Sequence, residues 1–542
     1  MSLDQSLLLN RRGLGGLALA ALAAGCQGSV VGLDPAKRSL DIGNGAEPLT
    51  LDPHKASGQW ENRIIGELFI GLTTEDIDAN PIPGMATHWE TSADGLTWTF
   101  HLREATWSDG APLTARDFEY GFKRIMNPKT IAEYASILYL VRNAEKCKKD
   151  ELPIDALGVR AVDDRTFEIR LEHPAPYLPG LMKHYTSFAV PAHIVEKHGD
   201  AWLNPENIVT NGPYMLDKWW SNYIIHLTKN PRFFEAEKVY FEHLYFYPTP
   251  DNDAAARRIT RGELGWSTDF AGKKQDFYEQ ELPGWVRVNS GLLLQYYSLN
   301  TTKPPFNDKR VRQAVSMALD REFMCDQIWR AGYKPAYGFV PPGMRGWPDG
   351  AKLFFAEWPK ERRQEEARRL LQEAGYGPNN PLQFKFNHRN TGDNPRIAVV
   401  AQNDWQSIAP WVKVELAGQE TQVHYAMLRA KDFMAGDGGW IADFNDARNY
   451  LYLMETRTGD QNYPSYSNPD YDKLMFQSDN EPDPQKRYDL MFQAEKTMLD
   501  DCPAVPIGIG AWKNLIDPRV EGFNMNLEDL HRARWMRVKA EA

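Results

Sequence analysis

The segment 96–103 reads LTWTFHLR, and its apolar and polar side chains alternate. A period of two predicts a half-buried strand whose inner face carries the tryptophan, the phenylalanine and the second leucine. The turn sequence WSDG follows at 107–110, and Thr114 then stands where it can cap a helix carrying Phe118 and Phe122. A strand, a turn and a capped helix in this order indicate a mixed α/β fold.

The alternation of strand and helix signals continues in both directions from this segment. A second alternating strand is predicted at 166–171, and amphipathic helices are predicted after Asp308, from Pro359 to Gly375, and over 484–500. A chain of 542 residues is too long for one hydrophobic core, so two or more lobes are expected.

The N-terminal segment is typical of an export signal. Arg11 and Arg12 precede a short apolar run that ends in small residues before Cys26. This ending resembles a bacterial lipobox, so residues 1–25 are predicted to be a signal peptide, Cys26 the lipidated first residue, and 26–40 a tether. Residues 10–14 also resemble a twin-arginine signal; a Sec signal is the alternative, and both routes stay open.

Composition excludes several functional classes. The formal net charge is −11 and no lysine or arginine cluster is present, which argues against nucleic acid. After Cys26 only three cysteines remain, none with metal-ligand spacing, so buried free thiols are expected and no cofactor is predicted. No segment outside the signal approaches the ~20 apolar residues of a spanning helix.

A long exported protein could be a hydrolase, and common hydrolase and nucleotide-binding classes carry short sequence motifs. GxSxG, HExxH and GxxxxGK[ST] are all missing from the sequence. A calcium loop starting at Asp443 fails, because Arg448 stands where glycine is needed and Met454 where the bidentate glutamate belongs. The sequence therefore favours a binding protein over an enzyme.

Six motifs in order resemble the periplasmic oligopeptide-binding proteins, a solute-binding family of peptide importers. The likeness covers nearly the whole chain after the signal. The motifs are 47–54 (EPLTLDPH), 98–103 (WTFHLR), 105–118 (ATWSDGAPLTARDF), 210–214 (TNGPY), 303–312 (KPPFNDKRVR) and 439–444 (GWIADF).

This resemblance implies a two-lobed periplasmic-binding-protein fold of type II, cluster C, with a hinge. Domain I would comprise 41–69, 194–292 and 512–542, domain II 70–193, and domain III 293–511. The implied function is capture of oligopeptides in a closing cleft and delivery to a permease with associated ATPases. The protein would act in the periplasm as a monomer and would touch the membrane only through its lipid.

The resemblance also assigns ligand-binding roles. Asp443 would pair with the peptide ammonium, because burying that charge alone is costly; its alternative role is a helix cap or turn. The segments 439–441 (Gly439, Trp440, Ile441) and 57–59 (Ser57, Gly58, Gln59) would pair with the peptide backbone. Tyr134 would line the site, and Trp440 would wall a side-chain pocket; core packing is the alternative for both.

Departures from the family pattern fall in the expected pocket. Asp437 stands where relatives carry an arginine, and Arg429 matches another ligand-proximal arginine with the spacing off by one. An Asp437 facing the cleft predicts a preference for cationic ligands; the alternative is that it turns away or is neutralised by Arg429. Gly508 and Gly510 replace aromatic residues and suggest a wider cavity, unless a nearby loop fills it.

Two other functions remain as alternatives. The same fold could bind an oligosaccharide, a cell-wall peptide or an opine-like compound. An exported hydrolase, the third candidate, would need two convergent carboxylates or a nucleophile with its base.

Overall fold

The computed structural model describes residues 32–540. Its largest element is a twelve-stranded mixed sheet, and a separate four-stranded antiparallel sheet lies early in the chain. The path strands of the large sheet are, in spatial order, Val412–Gln419, Leu382–Arg389, Ala435–Ile441, Val286–Leu299, Ala504–Ile516, Trp266–Ser267, Ser39–Gly43, His243–Tyr247, Ile224–Lys229 and Tyr214–Trp220.

Short strands complete the sheets. Leu33–Asp34 pairs with the strand that starts at Ser39, and Lys334–Pro335 pairs with the one that starts at Ala504. The four-stranded sheet has the order Ala86–Thr91, Thr97–Leu102, Thr166–Arg170 and Val159–Ala161. Two-stranded sheets are formed by Thr73–Glu75 with Pro81–Pro83 and by Val520–Glu521 with Arg537–Val538.

Helices cover both lobes. The α-helices are Gln59–Leu68, Ala115–Met126, Ala144–Lys148, Leu178–Leu181, Ala192–His198, Asn252–Thr260, Gln275–Glu281, Lys309–Ala318, Arg321–Phe323, Lys360–Glu373, Asn394–Ser407, Thr421–Arg429, Arg448–Leu451, Pro469–Asp479 and Pro484–Asp501. A π-helical turn, Met324–Trp329, follows the helix that ends at Phe323.

Two large hydrophobic cores give the molecule its two lobes, and a third, smaller cluster uses residues between 256 and 282 together with Leu515. The core of the first lobe draws on residues between 33 and 246, on Trp266 and Phe444, and on residues between 516 and 536. The core of the second lobe draws on residues between 292 and 509. The strands Val286–Leu299 and Ala504–Ile516 pair with each other and run from one lobe to the other. Their ladder shifts register between Ser290 and Leu294, at the boundary of the two cores, as a β-bulge does.

The predicted local elements are confirmed. Trp98, Phe100 and Leu102 are all buried on the inner face of their strand. The Thr114 amide donates to Asp117 Oδ2 at 2.8 Å, which closes a capping box at the start of Ala115–Met126. The three amphipathic helices form at Lys309–Ala318, Lys360–Glu373 and Pro484–Asp501.

Residues 32–40, predicted as part of a tether, belong to the folded body instead. Leu33 is buried, and the Gly32 amide donates to the Gly262 carbonyl at 2.7 Å. The backbone of this segment completes a sheet, which the tether prediction did not anticipate. Cys26 and the signal lie outside the described residues. Cys147, Cys325 and Cys502 are free and buried, as predicted.

Candidate functional site

Asp443 lies at the seam between the lobes. It follows the strand Ala435–Ile441 of the second lobe, and the hydroxyl of Tyr134, from the first lobe, donates to its Oδ1. Asn449 Nδ2 lies 3.5 Å from the other carboxylate oxygen. Because Asn449 Oδ1 accepts from the Trp440 indole at 2.7 Å, the amide group is oriented with its NH₂ towards Asp443.

This half-buried carboxylate has donors around it but no cation. Burial raises the pKa of Asp443 to about 7, and the hydrogen bond from Asn449 only partly opposes that rise. Within residues 32–540, no lysine, arginine or histidine forms an ion pair with it. A ligand ammonium would supply the missing charge and favour the ionised form of the acid.

The strand Ala435–Ile441 has an edge that is only partly covered. One side pairs with Val286–Leu299 along the strand's full length. On the other side, pairing with Leu382–Arg389 involves only Ala435 and Gly436.

The ladder fixes which backbone groups face that open edge. The Ala442 amide donates to the Leu292 carbonyl, so it faces the covered side. The Asp437 carbonyl lies 2.7 Å from His424 Nε2, so it faces the side opposite Val286–Leu299. By alternation, the N–H and C=O groups of Gly439 and Ile441 point away from the covered side. They are available to an added extended chain.

Ser57, Gly58 and Gln59 lie on the first lobe, in the turn that leads into the helix Gln59–Leu68. Gly58 is extended, with φ −106° and ψ 158°, and Ser57 is exposed. Across residues 32–540, no hydrogen bond joins this segment to Gly439–Ile441. The structure leaves the two segments on opposite lobes, as a two-sided cleft requires.

The expectation that Asp437 adds an uncompensated charge is wrong. Its carboxylate is buried and pairs with Arg389, whose Nε lies 3.0 Å from Oδ2 and whose amide donates to Oδ1 at 3.1 Å. His424 Nε2 lies 2.8 Å from the same Oδ1. Burial alone would raise the pKa of Asp437, but the hydrogen bond from His424 and the charge of Arg389 outweigh it and hold the pKa below its usual value. The compensating arginine is Arg389, not Arg429.

The other predicted residues occupy varied positions. Arg429 is exposed at the end of the helix Thr421–Arg429. Tyr134 is half-buried and meets the His184 ring edge-on at 5.7 Å. Trp440 is half-buried and meets the Tyr452 ring edge-on at 5.7 Å.

The glycines at 508 and 510 do not widen the cleft. A Cβ at Gly508 would lie 2.9 Å from the Trp329 ring, and one at Gly510 would lie 2.3 Å from the Leu293 side chain. The space that aromatic side chains would occupy is filled by neighbouring residues, so the wider cavity predicted from the sequence is wrong.

Two residues that shape the site, Arg389 and Asn449, were not predicted from the sequence. Arg389 ends a parallel strand 48 positions before Asp437, a spacing without a local signal. Asn449 lies six positions after Asp443, in a helix, and no short motif marks such an amide.

Among residues 32–540, no helix combines the length and apolarity of a membrane span.

Comparison with known proteins identifies the family. Residues 80–462 match the family described as "Bacterial extracellular solute-binding proteins, family 5 Middle". The chain belongs to this family. It is 36% identical over 494 residues to the periplasmic oligopeptide-binding protein OppA of Salmonella typhimurium, covering 90% of each chain.

Solved structures of similar binding proteins share the fold. Haemophilus influenzae OppA in complex with the peptide RPPGFSPFR is 32% identical, with a TM-score of 0.79 over 94% of this chain and 100% of that one. The Escherichia coli murein tripeptide binding protein MppA is 31% identical, with a TM-score of 0.80 over 95% and 100%. The two-lobed solute-binding fold predicted for this family 5 chain is thereby confirmed.

Proposed function

We propose that this chain captures oligopeptides in its interlobe cleft and delivers them to an ABC permease. The observation that carries the proposal is the open backbone edge at Gly439 and Ile441, next to the uncompensated carboxylate of Asp443. An extended peptide needs backbone partners and a counter-charge for its ammonium, and the cleft offers both. Binding, not catalysis, is the role of the site.

The chain's organisation in the cell is part of the same proposal. It acts in the periplasm as a monomer, held to the membrane by a lipid on Cys26. Domain I (41–69, 194–292, 512–542), domain II (70–193) and domain III (293–511) close about the paired strands at 286–299 and 504–516. The register shift near 290–294 supports a hinge at that point.

Mass spectrometry of ligand released by denaturing the purified protein tests the proposal. Short peptides are expected, and they should be depleted when Asp443→Ala is purified in parallel. Recovery of an oligosaccharide or another amine-free compound from the wild type would contradict oligopeptide capture.

Peptide affinity is expected to depend on pH through Asp443. In the ligand-free protein the pKa of Asp443 is raised to about 7. A peptide ammonium beside the carboxylate lowers this pKa in the complex, so the complex binds fewer protons than the ligand-free protein. The dissociation constant should therefore fall as pH rises from about 5 to 7 and level off above. Isothermal titration with a free-amine tripeptide across this range measures it.

The same titration on Asp443→Asn is the control, because an amide does not ionise. Its pH profile should be flat between 5 and 8. A sloping profile in the variant would assign the dependence to another group.

A further inference from the structure

A cavity of about 730 Å³ lies between the lobes. Its lining includes residues 444–446, which directly follow Asp443 in the sequence. The first lobe contributes the hairpin around 89–98 and the loop 174–183, and the second contributes 444–446 and the start of the helix Pro484–Asp501. Its volume lies within the range of small-molecule sites. No feature of the proposed peptide groove uses it.

The cavity walls are aromatic and proline-rich. Trp89, Trp98, Tyr177 and Phe444 line it together with several prolines of the loop 174–183. Planar rings of this kind favour stacking on an aromatic or alicyclic ligand.

The buried charges that line the cavity are compensated within the protein. Lys183 Nζ lies 2.6 Å from Glu528, and Arg487 contacts both oxygens of Asp446 at 2.8 and 2.9 Å. Asp94 and Arg345, which also line the cavity, are exposed to solvent. In the buried part of the cavity a ligand therefore gains little from carrying a net charge, and would lose hydration by bringing one.

Three buried polar atoms of lining residues lack a hydrogen-bond partner within residues 32–540. They are the indole nitrogen of Trp98 and Nε of Arg487, both donors, and Oε1 of Glu528, an acceptor. Buried polar groups are nearly always paired, so three unsatisfied groups in residues lining one cavity indicate missing polar partners.

The cavity is lined by residues other than those assigned to the peptide groove. Its lining includes Tyr177 and Phe444, which stack with ring centroids 4.5 Å apart and planes 6° apart, but not Tyr134, Asp443 or the strand edge at 439–441. An occupant of the cavity therefore contacts a separate set of residues from a peptide bound at Asp443.

We propose that this cavity is a second binding site, for an uncharged aromatic compound that carries hydrogen-bond acceptors and a donor. The acceptors would satisfy Trp98 Nε1 and Arg487 Nε, and the donor would satisfy Glu528 Oε1. Because the walls belong to both lobes, an occupant binds the closed form and shifts the protein towards it.

The test uses N-acetyltryptophanamide, which has an aromatic ring, carbonyl acceptors and N–H donors but no ammonium for Asp443. Isothermal titration of the whole protein is expected to show one saturable site. Gly180→Phe places a ring in the cavity: Gly180 lines it, and a Cβ there meets open space. This variant should weaken probe binding at least tenfold.

Gly377→Phe is the matched control. Gly377 is also half-buried with open space around its Cβ, but it lies outside the cavity, so probe affinity should equal that of the wild type. Trp98→Phe keeps a ring and removes the N–H, and about a three- to tenfold loss is expected. Thermal unfolding first confirms that Gly180→Phe and Trp98→Phe are folded. The site is refuted if the wild type does not bind the probe, or if these two folded variants bind it as tightly as Gly377→Phe does.

Discussion

Asp443→Asn is expected to weaken binding of a free-amine tripeptide by about a hundredfold or more at pH 8. Removing one partner of a buried ion pair costs about 3–5 kcal/mol, and each 1.4 kcal/mol is tenfold in affinity. Asparagine keeps the volume and an acceptor for Tyr134, so the change removes mainly the charge. Isothermal titration of ligand-free protein gives the ratio of dissociation constants.

Two controls isolate the ammonium in this experiment. Asp432→Asn removes an acid whose side chain is 89% exposed on the same lobe, and it should leave affinity within about twofold. An N-acetylated form of the same tripeptide should bind wild type and Asp443→Asn alike. If Asp443→Asn weakens binding of the free and the acetylated peptide equally, Asp443 contributes to the shape of the site and not to recognition of the ammonium charge.

The local elements of the fold could be predicted because each depends on near neighbours in sequence. Alternation placed Trp98, Phe100 and Leu102 in the core, and Thr114 with Asp117 fixed a helix start. The resemblance supplied the two lobes. It also predicted a ligand-binding role for Asp443, which lies between the lobes and accepts a hydrogen bond from Tyr134 of the other lobe.

The environment of the site could not be predicted, because it depends on contacts between distant segments. Arg389 meets Asp437 only because the end of the strand Leu382–Arg389 lies beside the start of the parallel strand Ala435–Ile441. Trp329 and Leu293 fill the space beside Gly508 and Gly510 from other elements. A sequence shows that a residue type departs from a pattern, but not which distant side chain compensates for it.

The second large effect is expected on stability, from loss of the ion pair between Arg389 and Asp437. Arg389→Leu is expected to lower the free energy of unfolding by about 3–5 kcal/mol at pH 7, since it leaves the Asp437 carboxylate buried with His424 and a backbone amide beside it but without its arginine. Urea unfolding measures the loss. Arg429→Leu, an exposed arginine on the same lobe, should change stability by no more than about 0.5 kcal/mol.

The pH dependence of that loss identifies its cause. The pKa of Asp437 is lowered in the folded protein from the usual 3.8, so the stability that its ionised form contributes is present above pH 3.8 and is lost as pH falls through the folded value. In Arg389→Leu the buried carboxylate lacks its arginine and protonates more readily, so the difference in free energy of unfolding between the variant and wild type should narrow as pH falls from 7 towards 3.8 and below.

Arg389→Leu combined with Asp437→Asn should recover much of the loss at pH 7, because no charge remains unpaired. If the double variant is as unstable as Arg389→Leu alone, the arginine stabilises the lobe through its stacking on Tyr425, 5.5 Å from the ring centre, and not through Asp437.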